Sequence, residues 1–458
     1  MTGMIEPSIF RPYNIRGTYP NQLNEEITNK IAQAFLHLFQ AKSIVLGRDV
    51  RLSSPALHKA FLEAALVAGV DVTDIGTVST DMLYFATGKY GFDAGFIVSA
   101  SHNPPQWNGF KAMRKGVVPA TIEEMLKVRE FVLSGRSLPR ANRRGELVKK
   151  DVLEPYLDHA LSLADTKDLK PIRLLVNGNF GTVGRVLTEV AKRLPIDLVP
   201  LNLEPDGNFP KGPPDPLLPQ MRVEVTEMAK KEKVDFAAAW DSDADRSYIH
   251  DENGEFVRGA FMTAFLAKHY LEKEPGGTIV SEPRVLWPVK ETVEAAGGKF
   301  LLSPPGYPFV RAKMIECDAI FGGENSAHYF FRKNWYAENG LVAFLTVWQS
   351  MSKTGQKVSE IFAPWREHYF VTEETNFPLP KIARGKEILK KAEDQYGTDA
   401  ELDYTAGLSV NFPDWRFNLR PSDNEPLIRL NVEARNQKLL DEKTAELTKF
   451  VRGLSTSS

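Results

Sequence analysis

Two periodicities alternate along most of the chain. Behind Asn24, apolar positions Ile27, Ile31, Phe35 and Leu38 recur at helical spacing, and the Asn24 side chain can cap that helix. Ser43-Ile44-Val45-Leu46 is a short apolar run of strand length that ends in Gly47-Arg48-Asp49. Ser54-Pro55 predicts the next helix start, a capping hydroxyl followed by proline in the first turn. Strands are predicted near 71–75 and 95–99, and Thr121-Ile122-Glu123-Glu124 is a capping box that opens another helix. Buried strands alternating with amphipathic helices predict a mostly parallel, helix-covered sheet.

The pattern then restarts. Pro171–Val176 reads as a strand, Thr182–Leu194 as a helix and Val234–Trp240 as a strand ending in a carboxylate cluster. A third cycle runs from the strand at Gly276–Val280 to the one at Asp318–Phe321. The tail differs. Trp415, Phe417 and Leu419 alternate with Arg416 and Asn418, and Ile428, Leu430 and Val432 alternate with Arg429 and Asn431. That alternation predicts a half-buried antiparallel pair. The expected organisation is therefore three related α/β domains with mixed sheets, at 1–150, 151–252 and 253–370, and a smaller α+β domain at 371–458.

Composition narrows the function classes. Of 458 residues, 43% are hydrophobic, and 57 Lys+Arg against 59 Asp+Glu give a net charge of −2. That near balance, with basic residues spread along the chain, argues against nucleic acid or an anionic membrane as partner. One cysteine, Cys317, permits no internal disulfide and is expected to be a buried thiol. No apolar run approaches the ~18 residues of a membrane span, and MTGMIEPSIFRPYN lacks a signal-peptide layout. A soluble cytoplasmic protein is expected.

Four polar loops carry the candidate chemistry, and ligands of open α/β sheets bind beyond the carboxyl ends of strands. In Ser99-Ala100-Ser101-His102-Asn103-Pro104-Pro105, prolines stop the sheet and stiffen a loop whose hydroxyl can act as a nucleophile or carry a phosphoryl group. In Asp241-Ser242-Asp243-Ala244-Asp245-Arg246, three alternate carboxylates can converge on a hard cation such as Mg²⁺. An EF-hand is rejected, because Arg246 stands where glycine is required and a strand precedes the loop. In Gly322-Gly323-Glu324-Asn325-Ser326-Ala327-His328, Glu324 and Ser326 can bind a polyhydroxylated ligand and His328 can move a proton. In Arg420-Pro421-Ser422-Asp423-Asn424-Glu425-Pro426, followed by Arg429, the arginines, a hydroxyl and turn amides suit a phosphate. Gly178-Asn179-Phe180-Gly181-Thr182-Val183-Gly184 has neither the Rossmann spacing nor the P-loop lysine, and is read as tight strand–helix packing.

Together and in this order, the four loops resemble those of the α-D-phosphohexomutase family: a Ser-His-Asn-Pro phosphoserine loop, an Asp-x-Asp-x-Asp-Arg metal loop, a Gly-Glu-x-Ser-x-His sugar loop and an Arg-x-Ser-x-x-Glu-Pro phosphate loop. Phe10-Arg11-Pro12-Tyr13-Asn14-Ile15-Arg16-Gly17, Glu204–Pro210 and Pro214-Asp215-Pro216 are similar to further family stretches. Ala327 before His328, and Asp414–Arg420, resemble the bacterial phosphomannomutase branch. Ser242 and Ala244 replace usual glycines, Asn424 stands where threonine is common, and Gly306-Tyr307 stands where a Gly-His pair is usual.

The resemblance implies four domains around a central cleft and reversible transfer of phosphate between O1 and O6 of mannose, through phosphorylated Ser101 and a hexose 1,6-bisphosphate that also serves as activator. Asp241, Asp243, Asp245 and the Ser101 phosphate would hold Mg²⁺. Arg16 and Arg246 would balance charge, and Lys111 or His328 would take the proton of the attacking hydroxyl. Glu324, Ser326 and His328 would grip the sugar, while Arg420, Ser422, Asn424 and Arg429 would hold the idle phosphate. His102, Asn103, Tyr13, Gly306, Tyr307 and Asp423 would support these groups. The alternatives are a phosphoglucomutase or dual mutase and, in another class, an inactive sugar-phosphate-binding protein. Sugar phosphates are the expected partners of a monomer or homodimer.

Overall fold

The computed structural model describes residues 5–422 and 425–455. It has two compact units. One contains the chain up to Val257 together with His328–Ser359; the other contains Arg258–Ala327 and the chain from Glu360 onward.

The first unit holds two mixed sheets. In the first, Ala94–Val98, Ser43–Arg48, Asp71–Thr77 and Leu147–Lys149 run parallel, and Trp107–Arg114 and Ile15–Thr18 add antiparallel strands at the Ala94–Val98 side. In the second, Phe236–Trp240, Ile172–Asn177 and Ile196–Leu201 run parallel, with Ser247–His250 antiparallel to the first of these. The central parallel strands are the apolar ones because helices cover the sheet faces there; Ala94–Val98 and Phe236–Trp240 are buried at every position. A short antiparallel pair, Tyr329–Phe331 with Ala337–Glu338, leads into the helix Gly340–Thr354, whose Trp348 indole donates to Lys170 O at 2.9 Å.

In the second unit, Lys299–Leu302, Thr278–Ser281 and Phe321–Gly323 form a parallel set. The tail is an antiparallel sheet of Glu401–Asp403, Leu408–Asn411, Trp415–Pro421 and Leu427–Ala434, with Phe370–Val371 and Thr375–Pro378 both paired to the last. Helices Arg384–Tyr396 and Gln437–Ser455 join its apolar core. Among the described residues no helix is long and apolar enough to cross a membrane.

Local expectations hold at Asn24, which accepts from Ile27 N–H at 3.1 Å, and at the Thr121–Glu124 capping box. Four need correction. Ser54 is inside its helix, not its cap; its hydroxyl donates to Asp49 Oδ1 at 2.5 Å because that buried carboxylate is the stronger acceptor. The tail hairpin is buried on both faces, since Arg416 and Glu433 form an internal ion pair and Asn418 donates to Ala406 O at 2.8 Å. Asp318 takes left-handed φ of 51° to close the helix Tyr307–Cys317, so the strand starts only at Phe321. Cys317 is half-buried at the end of that helix, and its thiol donates to Lys313 O.

Candidate active site

Ser101 lies just beyond the buried strand Ala94–Val98 with φ of 49°, the left-handed region that L-residues avoid. Such a conformation persists only where its surroundings over-determine it, and here they do. Its N–H donates to Ser99 Oγ at 2.9 Å, while its carbonyl accepts from Ser242 Oγ and from Arg51 Nη2, each at 2.6 Å. The hydroxyl donates to Asp241 Oδ2 at 2.9 Å and lies 3.3 Å from His102 Nδ1. The Ser-His adjacency thus becomes a contact. Asn103 is held through its backbone, with N–H on Ala100 O and its carbonyl taken by Arg51.

The carboxylate loop follows the strand Phe236–Trp240. Ala244 makes its turn at φ 60°, and a Cβ on Gly181 would lie 2.4 Å from Ser242 O, so the Gly178–Gly184 stretch serves close packing under this loop. Lys111 pairs in register with Ile97 on the neighbouring strand, and its ammonium donates to Asp243 Oδ2 at 2.6 Å and to Asp245 Oδ2. Arg16 faces Gly109 across the adjoining pair; a Cβ at Gly109 would be 1.9 Å from Ile15 O. The Arg16 guanidinium donates to Ser99 O. Tyr13 is partly buried on the approach to that strand.

Asp241, Asp243 and Asp245 are fully buried, with one oxygen from each within 4.8 Å of the others. Burial and mutual repulsion push Asp241 well above the usual carboxylate range. Burial, then Asp243, raises Asp245. Asp243 also suffers burial, but Lys111 outweighs it and drives it down. For Lys111, burial opposes the charge and the two aspartates overcome it, so it is a cation. Asp243 Oδ1 and Asp245 Oδ1 are buried without a hydrogen-bond partner. Burying carboxylate oxygens this way is costly unless a cation meets them. Three converging hard oxygen donors beside a serine hydroxyl fit a divalent ion such as Mg²⁺.

His328 begins the second segment of the same unit. Its Nε2 accepts from Arg246 Nε at 3.0 Å, and its Nδ1 is 3.5 Å from Glu338 Oε1. Burial, with Arg246 and Lys111 nearby, holds His328 well below the usual histidine range, so it is neutral. Burial and Arg246 likewise lower His102 to about 3.

The other expected contacts lie in the second unit. Glu324 is buried and accepts from Gly306 N–H at 2.6 Å, where Gly306 precedes the helix that Tyr307 starts. Tyr307 is itself buried. Ser326 accepts from Arg284 Nη2 at 3.4 Å, and Arg284 also bonds Glu282 at 2.8 Å. Arg420 and Arg429 are cross-strand partners that share Glu374, each at 3.4 Å. Ser422 is buried, with its N–H on Leu427 O. Asp423 and Asn424 lie outside the described residues.

Sequence reasoning missed Arg51, Arg284, Glu338 and Glu374. Arg51 had a signal: it stands two residues past Asp49 in a loop that ends a buried strand, the same placement as the other polar loops. Glu338 ends the two-residue strand Ala337–Glu338 and Glu374 directly precedes the strand Thr375–Pro378, with no motif around either.

Comparison with known proteins agrees with this geometry. The family description phosphoglucomutase/phosphomannomutase, alpha/beta/alpha domain I, matches residues 7–138; domain II matches 154–254, and domain III matches 258–368. A phosphohexose mutase of Xanthomonas campestris is 37% identical over 447 residues, covering 97% of this chain and 99% of that protein. A phosphomannomutase of Escherichia coli K12 is 36% identical over 447 residues, covering 96% and 97%. The solved structure of a phosphoglucomutase/phosphomannomutase family protein from Burkholderia thailandensis superposes with a TM-score of 0.90 at 26% identity, covering 99% of both chains. The ordered loops, the sheets that carry them and these full-length matches have one reading: the chain belongs to the phosphoglucomutase/phosphomannomutase family of α-D-phosphohexomutases.

Proposed function

We propose that the protein is a phosphomannomutase that interconverts mannose 1-phosphate and mannose 6-phosphate, with Ser101 as the phosphoryl carrier. The observation that carries this reading is the Ser101 hydroxyl, held in a strained loop with its Oγ 2.9 Å from Asp241 beside two further buried aspartates. Phosphoryl transfer is mostly positioning and charge neutralisation, and this loop offers both. Asp241, Asp243 and Asp245 would hold Mg²⁺, which supplies neutralisation of the phosphate charge.

The chain's own residues do the rest. Phosphorylated Ser101 gives its phosphoryl group to the free sugar hydroxyl: the Ser101 Oγ–P bond breaks, a sugar O–P bond forms, and the hydroxyl proton leaves. The resulting hexose 1,6-bisphosphate returns its other phosphate to Ser101, and it also primes the enzyme. Lys111, already protonated between two aspartates, suits charge balance better than proton acceptance. Neutral His328, whose Nε2 lone pair accepts from Arg246 here, is the remaining candidate to take the proton. Arg16 steadies Ser99 beside the reacting serine. Glu324 and Ser326 hold sugar hydroxyls, and Arg420, Ser422, Asn424 and Arg429 take the idle phosphate. His102, Asn103, Tyr13, Gly306, Tyr307 and Asp423 support them. In the same reading the chain divides at about 150, 252 and 370, and works in the cytoplasm as a monomer or homodimer.

The test is kcat/KM for mannose 1-phosphate against glucose 1-phosphate, with Mg²⁺ and a trace of glucose 1,6-bisphosphate. A clear mannose preference is expected. Equal rates would make it a dual mutase, and turnover of neither would reject the reading.

A further inference from the structure

The mechanism leaves one buried cation of the first unit without a task. Arg51 is 1% exposed, and all five N–H donors of its guanidinium are used. Nε donates to Asp49 Oδ2 at 3.1 Å. Nη1 donates to Pro104 O at 2.7 Å and Trp107 O at 3.0 Å. Nη2 donates to Ser101 O and Asn103 O, both at 2.6 Å. Four of the five acceptors are therefore backbone carbonyls of the Ser101 loop and of the strand into which it runs.

Its own placement is equally determined. Asp49 receives Arg51 N–H at 3.0 Å and Ser54 Oγ at 2.5 Å, so the carboxylate that aims the guanidinium is itself tied down. The ring of Phe209 lies 4.9 Å from Arg51 Cζ. Phe209 comes from the Glu204–Pro210 stretch, to which the reaction assigns nothing.

We infer that Arg51 is the positioning residue of the phosphoryl carrier, holding the Ser101 backbone in its left-handed conformation so that Oγ is presented to the aspartate loop. Ser101 O is the shared point: it takes Arg51 from the side of the first sheet and Ser242 from the aspartate loop. A planar guanidinium can span separate carbonyls in one fixed fork, and an ammonium cannot. Displacing a reacting group by about 1 Å is enough to cost about 100-fold in rate. With every guanidinium donor committed to Asp49 or to backbone carbonyls and none to Ser101 Oγ, the loss of Arg51 lowers turnover and leaves substrate affinity alone.

The inference rests on Ser101 being the carrier, and the experiment separates the two. Full-length wild type and Arg51→Lys are incubated with glucose 1,6-bisphosphate and Mg²⁺, and phosphate on Ser101 is followed by intact mass and peptide mapping, beside steady-state kinetics with mannose 1-phosphate. The expected result is prompt phosphorylation of wild type and, in folded Arg51→Lys, both phosphorylation rate and kcat down by about 100-fold with KM within twofold. Wild-type phosphorylation speed and kcat in the variant would overturn the inference, as would a raised KM at unchanged kcat. Wild type that never takes phosphate on Ser101 would remove the carrier reading and this inference with it. Should Arg51→Lys fail to fold, Asp49→Asn, which releases Nε but keeps Arg51, is read by the same two rates: loss of both at constant KM supports the inference, and no loss overturns it.

Discussion

Each unit contains a dense cluster of charge, and the two clusters are built differently. In the first, Ser101, Lys111 and the three aspartates are buried, with Ser101 Oγ 2.9 Å from Asp241 and the Lys111 ammonium 2.6 Å from Asp243. In the second, Arg284, Arg420 and Arg429 have side chains 12%, 20% and 24% exposed, and the two phosphate-loop arginines reach Glu374 only at 3.4 Å. At 3.4 Å, with solvent reaching both partners, these pairs are looser than the contacts of the first cluster, so an incoming anion can take the place of the carboxylate. Buried charges cannot exchange partners that way without leaving one unpaired. Under the proposed function, the first cluster is preset for one reacting atom, while the second is suited to accept and release a ligand.

Removing the preset atom should have the largest effect. Ser101→Ala is expected to lower turnover by roughly a thousandfold or more with an unchanged melting temperature; near-normal kcat would end the carrier role. Next, Glu433→Ala strips the buried partner from Arg416 and the acceptor from Leu286 and Trp287 N–H. It should destabilise the tail of the second unit by about 3–5 kcal/mol, seen in thermal unfolding. A loss below 1 kcal/mol would mean that the pair is dispensable.

A smaller effect tests burial in the first unit by pH. Burial, then Arg222, lowers His250 to about 4, against the pull of Gly254 O and Asp251. The unfolded chain, with an ordinary histidine pKa near 6.5, takes up that proton first. Stability from this group is therefore complete above about pH 6.5 and is lost as pH falls toward 4, by on the order of 3 kcal/mol. His250→Asn should flatten urea-derived stability over that window; an unaltered slope would show that His250 titrates normally. The smallest change is expected from Arg420→Ala, a loss of one charge-assisted phosphate contact worth about 1.5–3 kcal/mol, or roughly 10–100-fold in kcat/KM. Loss as complete as in Ser101→Ala would erase the distinction between the clusters.

Much of this site could be read along the chain because its reactive parts sit in short loops at strand ends. The aspartates at alternate positions, Ser101 before two prolines, and the run from Glu324 to His328 all announce themselves within a few residues. The arrangement of their supports does not. Glu338 and Glu374 gain meaning only from residues distant in the chain, and nothing local distinguishes them from surface charges; Arg51 offers only its place in a strand-end loop, while its partners lie about fifty residues on. The tail hairpin makes the same point: alternation at Arg416, Asn418, Asn431 and Glu433 looks like a solvent face, yet each is buried. Alternation marks only which residues share a face, and an internal ion pair satisfies that face as well as water does.

By itself, the sequence determined the alternation of helices and strands, the order of the reactive loops and the family they belong to, because these depend on side-chain period and on contiguous residues. Only the tertiary structure decided that Ser101 meets Asp241, that Lys111 is locked as a cation between Asp243 and Asp245 while His328 stays neutral, and that Arg51 grips the serine loop. Those outcomes depend on burial and on distances between segments far apart in the chain, which sheet registry and helix packing set.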